Sequence, residues 1–526
     1  MTEKARKAPR FNRRIRASGL AADTRGSIMP MGAAAMLVLS VAGIGALDFQ
    51  NATMLRGNLQ DALDTATLAV ARSEADTNAE MRTLGLTLIR QGLHKSAKDA
   101  RLENVRFTED EGVIYAQATL SFKPMLGGFF TGDRALLTVK SQVAPGDSLE
   151  VALVLDNTYS MQGTRIATLK TSATNFVNIL ERAAGMSRDD DALKISLVPF
   201  STTVNVGSTY RTASWMDTAG LSPIHHEPFD APTAGGARPT RFTLFSRLNT
   251  TWAGCVESRP APYDVQDTEP TTGTPGTLFV PYFAPDEYDV WDPNYSDNRY
   301  WVNNYVPDDL YGTSTWKTRQ RRVEKYDQSP ASTASIGSGY SRGPNYECIL
   351  HPLVRLTTDG EKVKKAISEL TIAGDTNIPV GLAWGWHTLS PKGPFKDGVA
   401  YGTHKTKKIA VLMTDGQNMI FDNNRENNSI YSAIGYIGQN RVGITDGTPA
   451  QRRAALDARL SLLCRNMKAQ GILIYTIRLE VEDSDYQVLR NCASAPEMFH
   501  DVKQASQLNA AFTKIADDIQ KLRIAR

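Results

Sequence analysis

Residues 149–161 read LEVALVLDNTYSM. An apolar run, Leu149 and Val151 to Leu155, stops at Asp156 and gives way to two hydroxyls at two-residue spacing, Thr158 and Ser160. A run of this kind, bounded by polar turn residues, predicts a strand buried on both faces, as in a parallel sheet. Asp156, Thr158 and Ser160 then stand on the loop leaving its carboxyl end, where open α/β sheets hold their ligands. One carboxylate beside two neutral hydroxyls is a hard-oxygen donor set, suited to Mg²⁺ or Mn²⁺ with some waters retained.

Outward from this stretch, strands and helices alternate. A helix is expected over 161–183, with Ile166, Leu169, Ala173, Val177 and Leu180 at helical spacing. Strands follow at 193–200 (LKISLVPF), 407–414 (KKIAVLMT) and 472–478 (ILIYTIR), with helices at 450–470 and 503–522. In the last helix Leu508, Phe512, Ile515, Ile519 and Leu522 make one apolar stripe. The alternation predicts an α/β fold built on a doubly wound parallel sheet, spanning 147–526. Periodicity disappears between about 205 and 350, a long irregular insertion that includes DEYDVWDPNYSDNRYW at 286–301. Its aromatics suit a recognition surface, since Tyr and Trp are enriched at interfaces, or a small core of the insertion itself. Asp286, Asp289, Asp292 and Asp297 lack the Gly and terminal Glu of a hand-type calcium loop, so calcium is not expected there.

The other end of the chain has a different character. Residues 1–25 carry Lys4, Arg6, Lys7, Arg10, Arg13, Arg14, Arg16 and Arg25 against Glu3 and Asp23. Ser27 to Leu47, SIMPMGAAAMLVLSVAGIGAL, has no charged residue and matches the roughly 20 residues of a bilayer-crossing helix. A basic block beside it is a topogenic signal that stays in the cytoplasm. A cleaved signal peptide shares this start, but the helical pattern runs on through Asp48, Gln60 and Ala71, which favours an uncleaved anchor. The division expected is a basic tail at 1–25, a transmembrane helix at 26–48, and a membrane-proximal α+β module at 49–146. That module has helices at 48–72 and 78–96 and strands at 112–122 and 135–143. Pro124, Gly127 and Gly128 break the chain between the strands, and Pro145-Gly146 closes the module. Over the whole chain 59 basic residues face 56 acidic ones, which gives no case for nucleic acid. Cys255, Cys348, Cys464 and Cys492 lie beyond the anchor, where an even count favours disulfides; three connectivities are open. Pairing nearest in sequence would close loops of about 30 and about 90 residues.

A cation site needs ligands from more than one loop. GDTNIPVGLAWGWHTL (374–389) is a loop with Gly374 and Thr376 leading into a helix, and MTDG (413–416) ends a strand with Asp415. Where the winding of such a sheet reverses, the first strand lies beside a later one, so Asp156 and Asp415 are expected to face each other, with Thr376 arriving from a third loop.

The order Asp-x-Thr-x-Ser, Gly-x-Thr, strand-Thr-Asp-Gly resembles the metal-ion-dependent adhesion site of von Willebrand factor type A domains. The resemblance covers about 149–205 and 350–526. It implies Ser160, Thr158 and Thr376 as direct Mg²⁺ ligands, with Asp156 and Asp415 as charged supports; Mn²⁺ and Ca²⁺ are the alternative ions. The family usually has Ser where Thr158 stands and a small residue where Tyr159 stands. The N-terminal RGSIMPMGAAAMLVLSVAGIGALDFQ and QDALDTATLAVA, with the closing CASAPEMFHDVKQASQLNAAFTKIADDIQKLRI, resemble TadG-type proteins of tight-adherence (Flp) pilus assembly. This implies a single-pass protein of the bacterial inner membrane, its amino terminus cytoplasmic and its main domain periplasmic, acting as a scaffold on other pilus-assembly or envelope proteins. Gly26 is followed five residues later by Met31 rather than Glu, so prepilin-peptidase cleavage is not implied.

Two other readings compete. A surface adhesin would use the aromatic insertion. A haloacid-dehalogenase-type phosphotransferase would need a second Asp two residues after Asp156, and Thr158 stands there, leaving no paired carboxylate for acid–base work. The chain has no GK[ST] phosphate loop (GTSTWK at 312–317 is not one). His387, on a helix with Trp384 and Trp386, reads as structural. No enzyme activity, nucleic acid or small-molecule substrate is expected.

Overall fold

The computed structural model describes residues 28–71, 73, 75, 77–93, 100–110, 113–126, 134–143, 147–185, 191–289, 303–308, 314–327, 342–420, 427–481 and 487–524. The basic tail, Gly26, Gly127, Gly128, the Pro145-Gly146 boundary, Asp292 and Asp297 lie outside them, as does the side chain of Leu522. The chain divides into two compact units, Met1–Pro145 and Gly146–Arg526.

In the first unit α1 (Ile28–Ala71) runs unbroken for 44 residues, about 66 Å at 1.5 Å per residue. Its sequence changes character midway. Met31, Met36, Leu37, Val38, Leu39, Leu47 and Phe49 are exposed, and this stretch is long and apolar enough to cross a membrane. Further on, Leu55, Leu59, Leu63, Ala66 and Val70 repeat at helical spacing and are buried. They pack with Met81 and Ile89 of α2 (Asn78–Leu93) on an antiparallel sheet of β1 (Arg101–Asp110), β2 (Val113–Phe122) and β3 (Ala135–Val143). Asp48 joins the two halves of α1 to this sheet, accepting the Met125 and Leu126 amides at 2.8 and 2.9 Å. β1 escapes sequence reading because RLENVRFTED buries only Val105 and Phe107.

The second unit opens with β4 (Ser148–Asp156), α3 (Thr164–Ala184) and β5 (Leu193–Phe200). The long insertion then carries β6 (Val204–Asn205), α4 (Arg241–Arg247), β7 (Cys255–Val256) and α5 (Trp316–Arg321). After it come β8 (Val354–Thr357), α6 (Gly360–Ser368), α7 (Ile378–Leu389), β9 (Thr406–Thr414), α8 (Pro449–Ala469), β10 (Leu473–Leu479), α9 (Val488–Cys492), β11 (Phe499–Val502) and α10 (Leu508–Ile524). The sheet order is β11-β10-β9-β4-β5-β8, parallel throughout except for β8, which pairs antiparallel at one edge.

β4 is central, and Leu149 to Asp156 are all buried, because successive side chains enter two different cores. Ala152 and Val154 join Val198, Phe200, Ala410 and Leu412 against α7 and α8. Leu149, Val151, Leu153 and Leu155 join Ile195, Leu197, Val411 and Met413 against α3, α6 and α10. α7 reaches the sheet closely because two of its turns lack side chains: a Cβ on Gly381 would run into Phe200, and one on Gly385 into Val154. The parallel sheet is as expected, with additions. β8 and β11 are four-residue strands, too short to show a period. The closing helix starts at Leu508, not 503, since residues 505–507 form a tighter turn.

The described rings of the insertion differ from both readings, a recognition surface and a small core of the insertion itself. Trp215, Phe229, Phe245, Trp252, Phe279, Phe283, Tyr305 and Tyr326 are buried and continuous with the α7 side of the domain core. These rings are a core and not a recognition surface; Trp291, Tyr295, Tyr300 and Trp301 lie outside the described residues. Asp286 and Asp289 serve the loop's own closure. Asp286 pairs with Lys325 at 2.8 Å and accepts the Tyr305 and Val306 amides, and Asp289 accepts from Asn304 and the Asp308 amide. Cys255 bonds Cys348, and Cys464 of α8 bonds Cys492 of α9, with Cα–Cα distances of 5.9 and 5.2 Å. In the chain-entropy model these loops contribute roughly 4.5 and 3.5 kcal/mol.

Two stability measurements check this packing. Gly385→Ala should lower the unfolding free energy of the full chain in detergent by about 1–3 kcal/mol, since the methyl must push α7 off β4. Replacing Cys464 and Cys492 together by Ser should cost about 2–4 kcal/mol, read by chemical denaturation against the wild type.

Candidate cation site at the carboxyl edge of the sheet

β4 lies between β5, the next strand of the chain, and β9, a much later one, so the strand order reverses at β4 and a ligand crevice is expected at its carboxyl end. Asp156 ends the strand there, with no exposed surface. Its Oδ1 accepts the Thr158 amide at 2.9 Å and the Thr158 hydroxyl at 2.7 Å, and its Oδ2 accepts the Thr414 hydroxyl at 2.5 Å. The Asp156-x-Thr158 spacing closes a tight loop because the side chain bonds its own backbone two residues on.

The next links run across the sheet. Thr158 and Ser160 hydroxyl oxygens stand 2.8 Å apart, and Ser160 donates to Asp415 Oδ1 at 2.7 Å. Asp415 is delivered by the residue after β9, in register beside β4 (Leu155 opposite Met413). The third loop is sewn on by backbone bonds: the Tyr159 amide to the Gly374 carbonyl at 3.2 Å, and the Ala373 amide to the Asn157 carbonyl at 2.8 Å. Thr376 therefore arrives beside Gly416, where a Cβ would stand 3.4 Å from its Oγ1. It joins by position, without a hydrogen bond to Asp156, Thr158, Ser160 or Asp415 among the described residues. All five residues singled out in the sequence thus meet at one edge.

Several partners carry no sequence signal of comparable strength. Arg165, in the first turn of α3, reaches Asp415 Oδ2 at 3.0 Å, the Ser160 carbonyl at 2.9 Å and Glu480 at 2.7 Å. Asn157 holds the Thr371 carbonyl at 2.8 Å. Thr414 was readable as the hydroxyl preceding Asp415 at a strand end. Glu347, near the end of the insertion, sits under the third loop, and its carboxyl is pushed up to about 7 by burial and by Asp375.

Electrostatics in this crevice is unbalanced. The Asp156 carboxyl is raised to about 7, first by burial and then by the neighbouring Asp415, against the bonds from Thr414 and Thr158. Asp415 is also raised, by burial, with Ser160 and Arg165 opposing. Two carboxylates in one dry site favour whatever brings positive charge. The hydroxyl protons of Thr158 and Ser160 point to the carboxylates, which leaves lone pairs on both oxygens. The donor set is two carboxylates and three hydroxyls, all hard oxygen, and so fits Mg²⁺, with Mn²⁺ and Ca²⁺ of the same class. Among the described residues no group of three or more His, Cys, Asp or Glu is placed to hold a metal ion, so the cation reading rests on the three hydroxyls beside the two carboxyls. His387 is remote from this chemistry: it packs edge-on against Phe279 and Trp384, and burial drives its pKa well down, which keeps it neutral.

No family model matches this chain. No curated protein matches it. Solved structures similar to it include the pilus adhesin SpaC from Lactobacillus rhamnosus GG, at 12% identity and a TM-score of 0.32, covering 82% of this chain and 35% of that one. The von Willebrand factor domain of the type V pili tip protein Mfa5 from Porphyromonas gingivalis aligns at 12% identity and a TM-score of 0.32, over 73% of this chain and 98% of that one. The pilus adhesin RrgA from Streptococcus pneumoniae aligns at 9% identity and a TM-score of 0.31, over 79% and 49%. This chain spans about a third of the length of the SpaC chain. At such scores the likeness carries no argument, and the fold rests on the strand order and packing above.

The raised Asp156 carboxyl has a sign that can be measured. Its unfolded value is near 3.8 and its folded value about 7, so between them the folded state holds the extra proton and stability falls as pH rises from about 4 to about 7. Without divalent cations, Asp156→Asn should flatten that fall and gain roughly 1–3 kcal/mol at pH 8. Mg²⁺ should raise the melting temperature of the wild type and leave that of Asp156→Asn unmoved, as thermal melts in EDTA and in Mg²⁺ would show.

Proposed function

We propose that residues 147–526 form a doubly wound von Willebrand factor type A-like domain whose cation site docks a carboxylate of a protein partner. Ser160, Thr158 and Thr376 hold the cation, and Asp156 and Asp415 supply the charge. A Mg²⁺ held by few protein oxygens keeps positions for water or for an external Asp or Glu. The observation that carries this reading is the continuous chain Thr414–Asp156–Thr158–Ser160–Asp415 at the switch point, with Thr376 beside it.

The remainder of the chain sets the place of action. Residues 26–48 are the membrane anchor, 1–25 the cytoplasmic tail and 49–146 the membrane-proximal module. The exposed apolar half of α1 and the resemblance of both chain ends to TadG-type proteins support a scaffold or assembly protein of a tight-adherence pilus. Its main domain then works in the periplasm of an inner-membrane single-pass protein, on other pilus or envelope components. A surface adhesin, the second reading, would bind through residues of the insertion other than the described aromatics, which are buried.

Crosslinked pull-down from intact envelopes tests this. Partner capture should require Mg²⁺ and should fall at least tenfold for Asp156→Ala, with the protein level and its near-ultraviolet circular dichroism unchanged. Capture that persists at full strength in EDTA would sink the docking reading.

A further inference from the structure

Among the described residues of the second unit, the exposed large apolar side chains are Tyr159, Leu221 and Met419. Two of these three stand at the candidate cation site, Tyr159 at 54% exposure and Met419 at 50%. The Tyr159 amide donates to the Gly374 carbonyl at 3.2 Å and the Met419 amide to the Thr376 carbonyl at 2.8 Å. Gly374 and Thr376 are two residues apart, at most about 7 Å between Cα atoms, so Tyr159 and Met419 flank one short loop. Arg165 adds charge to the same rim. Its side chain is one-third exposed, whereas the Asp415 side chain that it pairs with is fully buried. Nε goes to Glu480, and Nη1 to Asp415 and the Ser160 carbonyl. Nη2 makes no hydrogen bond among the described residues and, in the small plane of the guanidinium, stands within about 5 Å of Asp415 Oδ2.

Single exposed apolar residues are ordinary on a protein surface, but two that flank the same loop make a contact patch. Tyr, Met and Arg are also the residue types enriched where protein interfaces bury their centre. The guanidinium of Arg165 braces the site with two nitrogens, which leaves the third for an acceptor from outside, and a planar carboxylate matches it best. Charge limits the partner to one such group. Burial raises the Tyr159 phenol, and the nearby carboxyls of Glu347 and Asp375 raise it too. A run of acidic residues would meet that like charge on the Tyr159 side, whereas an apolar neighbour would bury Tyr159 or Met419 at no such cost.

We propose that Arg165, Tyr159 and Met419 form the contact surface around the cation site, and that it receives a single Asp or Glu flanked by apolar residues rather than an acidic run. The place of the carboxylate rests on the function proposed above; the apolar contact does not. Arg165 Nη2 donates to the docked carboxylate, and the neighbouring apolar side chains of the partner lie on Tyr159 and Met419.

Fluorescence anisotropy on the full chain in detergent with Mg²⁺ tests this, using labelled, amidated Gly-Leu-Asp-Leu-Gly as the probe. That peptide should bind. Gly-Leu-Asn-Leu-Gly, Gly-Gly-Asp-Gly-Gly and Gly-Asp-Asp-Asp-Gly should each bind roughly tenfold more weakly. Arg165→Gln, Tyr159→Ser and Met419→Ser should each weaken the first peptide by roughly fivefold or more, and Leu221→Ser, outside the site, should not. Calorimetry with Mg²⁺ alone separates contact from bracing. Met419→Ser should leave Mg²⁺ affinity unchanged, and Arg165→Gln should hold or tighten it, because a nearby positive charge is gone. Arg165→Lys, which keeps the charge without the fork, should bind the peptide at a level between the wild type and Arg165→Gln. Parallel loss of Mg²⁺ and peptide affinity in Arg165→Gln would make that residue a brace alone and overturn its contact. Equal binding of the Leu-flanked and Gly-flanked peptides, or no peptide binding by the wild type, overturns the surface. Peptide binding that survives EDTA and still needs Arg165 and Met419 would instead remove the cation reading and leave the surface standing.

Discussion

Asp156 ends a strand with no exposed residue between Leu149 and itself, and its carboxylate has to be satisfied away from water. Burial alone raises the cost of its charge, and Asp415, arriving on the adjacent strand, raises it again. The local structure answers this constraint. Thr158 turns its amide and hydroxyl onto one oxygen, and Thr414 caps the other. Ser160 and Arg165 do the same for Asp415. What is left is a pair of carboxyls countered by the Arg165 guanidinium, and two hydroxyl oxygens with free lone pairs, the donor set on which the proposed cation site rests.

That arrangement needs the sheet edge to be rigid, and the domain supplies rigidity from both faces. Gly381 and Gly385 bring α7 into contact with Phe200 and Val154, which fixes the loop that precedes the helix and with it Thr376. The same loop is tied by backbone bonds to Asn157 and Ser201. The insertion, far from being a loose appendage in its described part, extends the core on the α7 side with packed aromatic rings. Its Cys255–Cys348 bond closes 93 residues near the loop that carries Glu347.

The first unit obeys a different constraint. One helix, α1, changes its apolar pattern from all-round exposure to a single buried stripe. The first pattern leaves its large apolar side chains exposed among the described residues, and the second fills the core under β1, β2 and β3. A single helix thus carries both a membrane-length segment and the scaffold of a small folded module.

The sequence by itself determined the buried parallel strands, the amphipathic helices and the long apolar helix, because each is written in a local period of apolar residues. It also marked Asp156, Thr158 and Ser160 as one loop, since a carboxylate followed by hydroxyls at two-residue spacing folds on itself. Tertiary structure alone decided the rest. The meeting of Asp415 and Thr376 with that loop depends on strand order, which no local period encodes, and Arg165 reaches Asp415 only because α3 starts under the same crevice. Whether the insertion's aromatics faced water or a core was open in the sequence, since a ring's burial depends on what packs against it. Four cysteines allowed three pairings, and only the fold brought the right Cα atoms within 6 Å of one another.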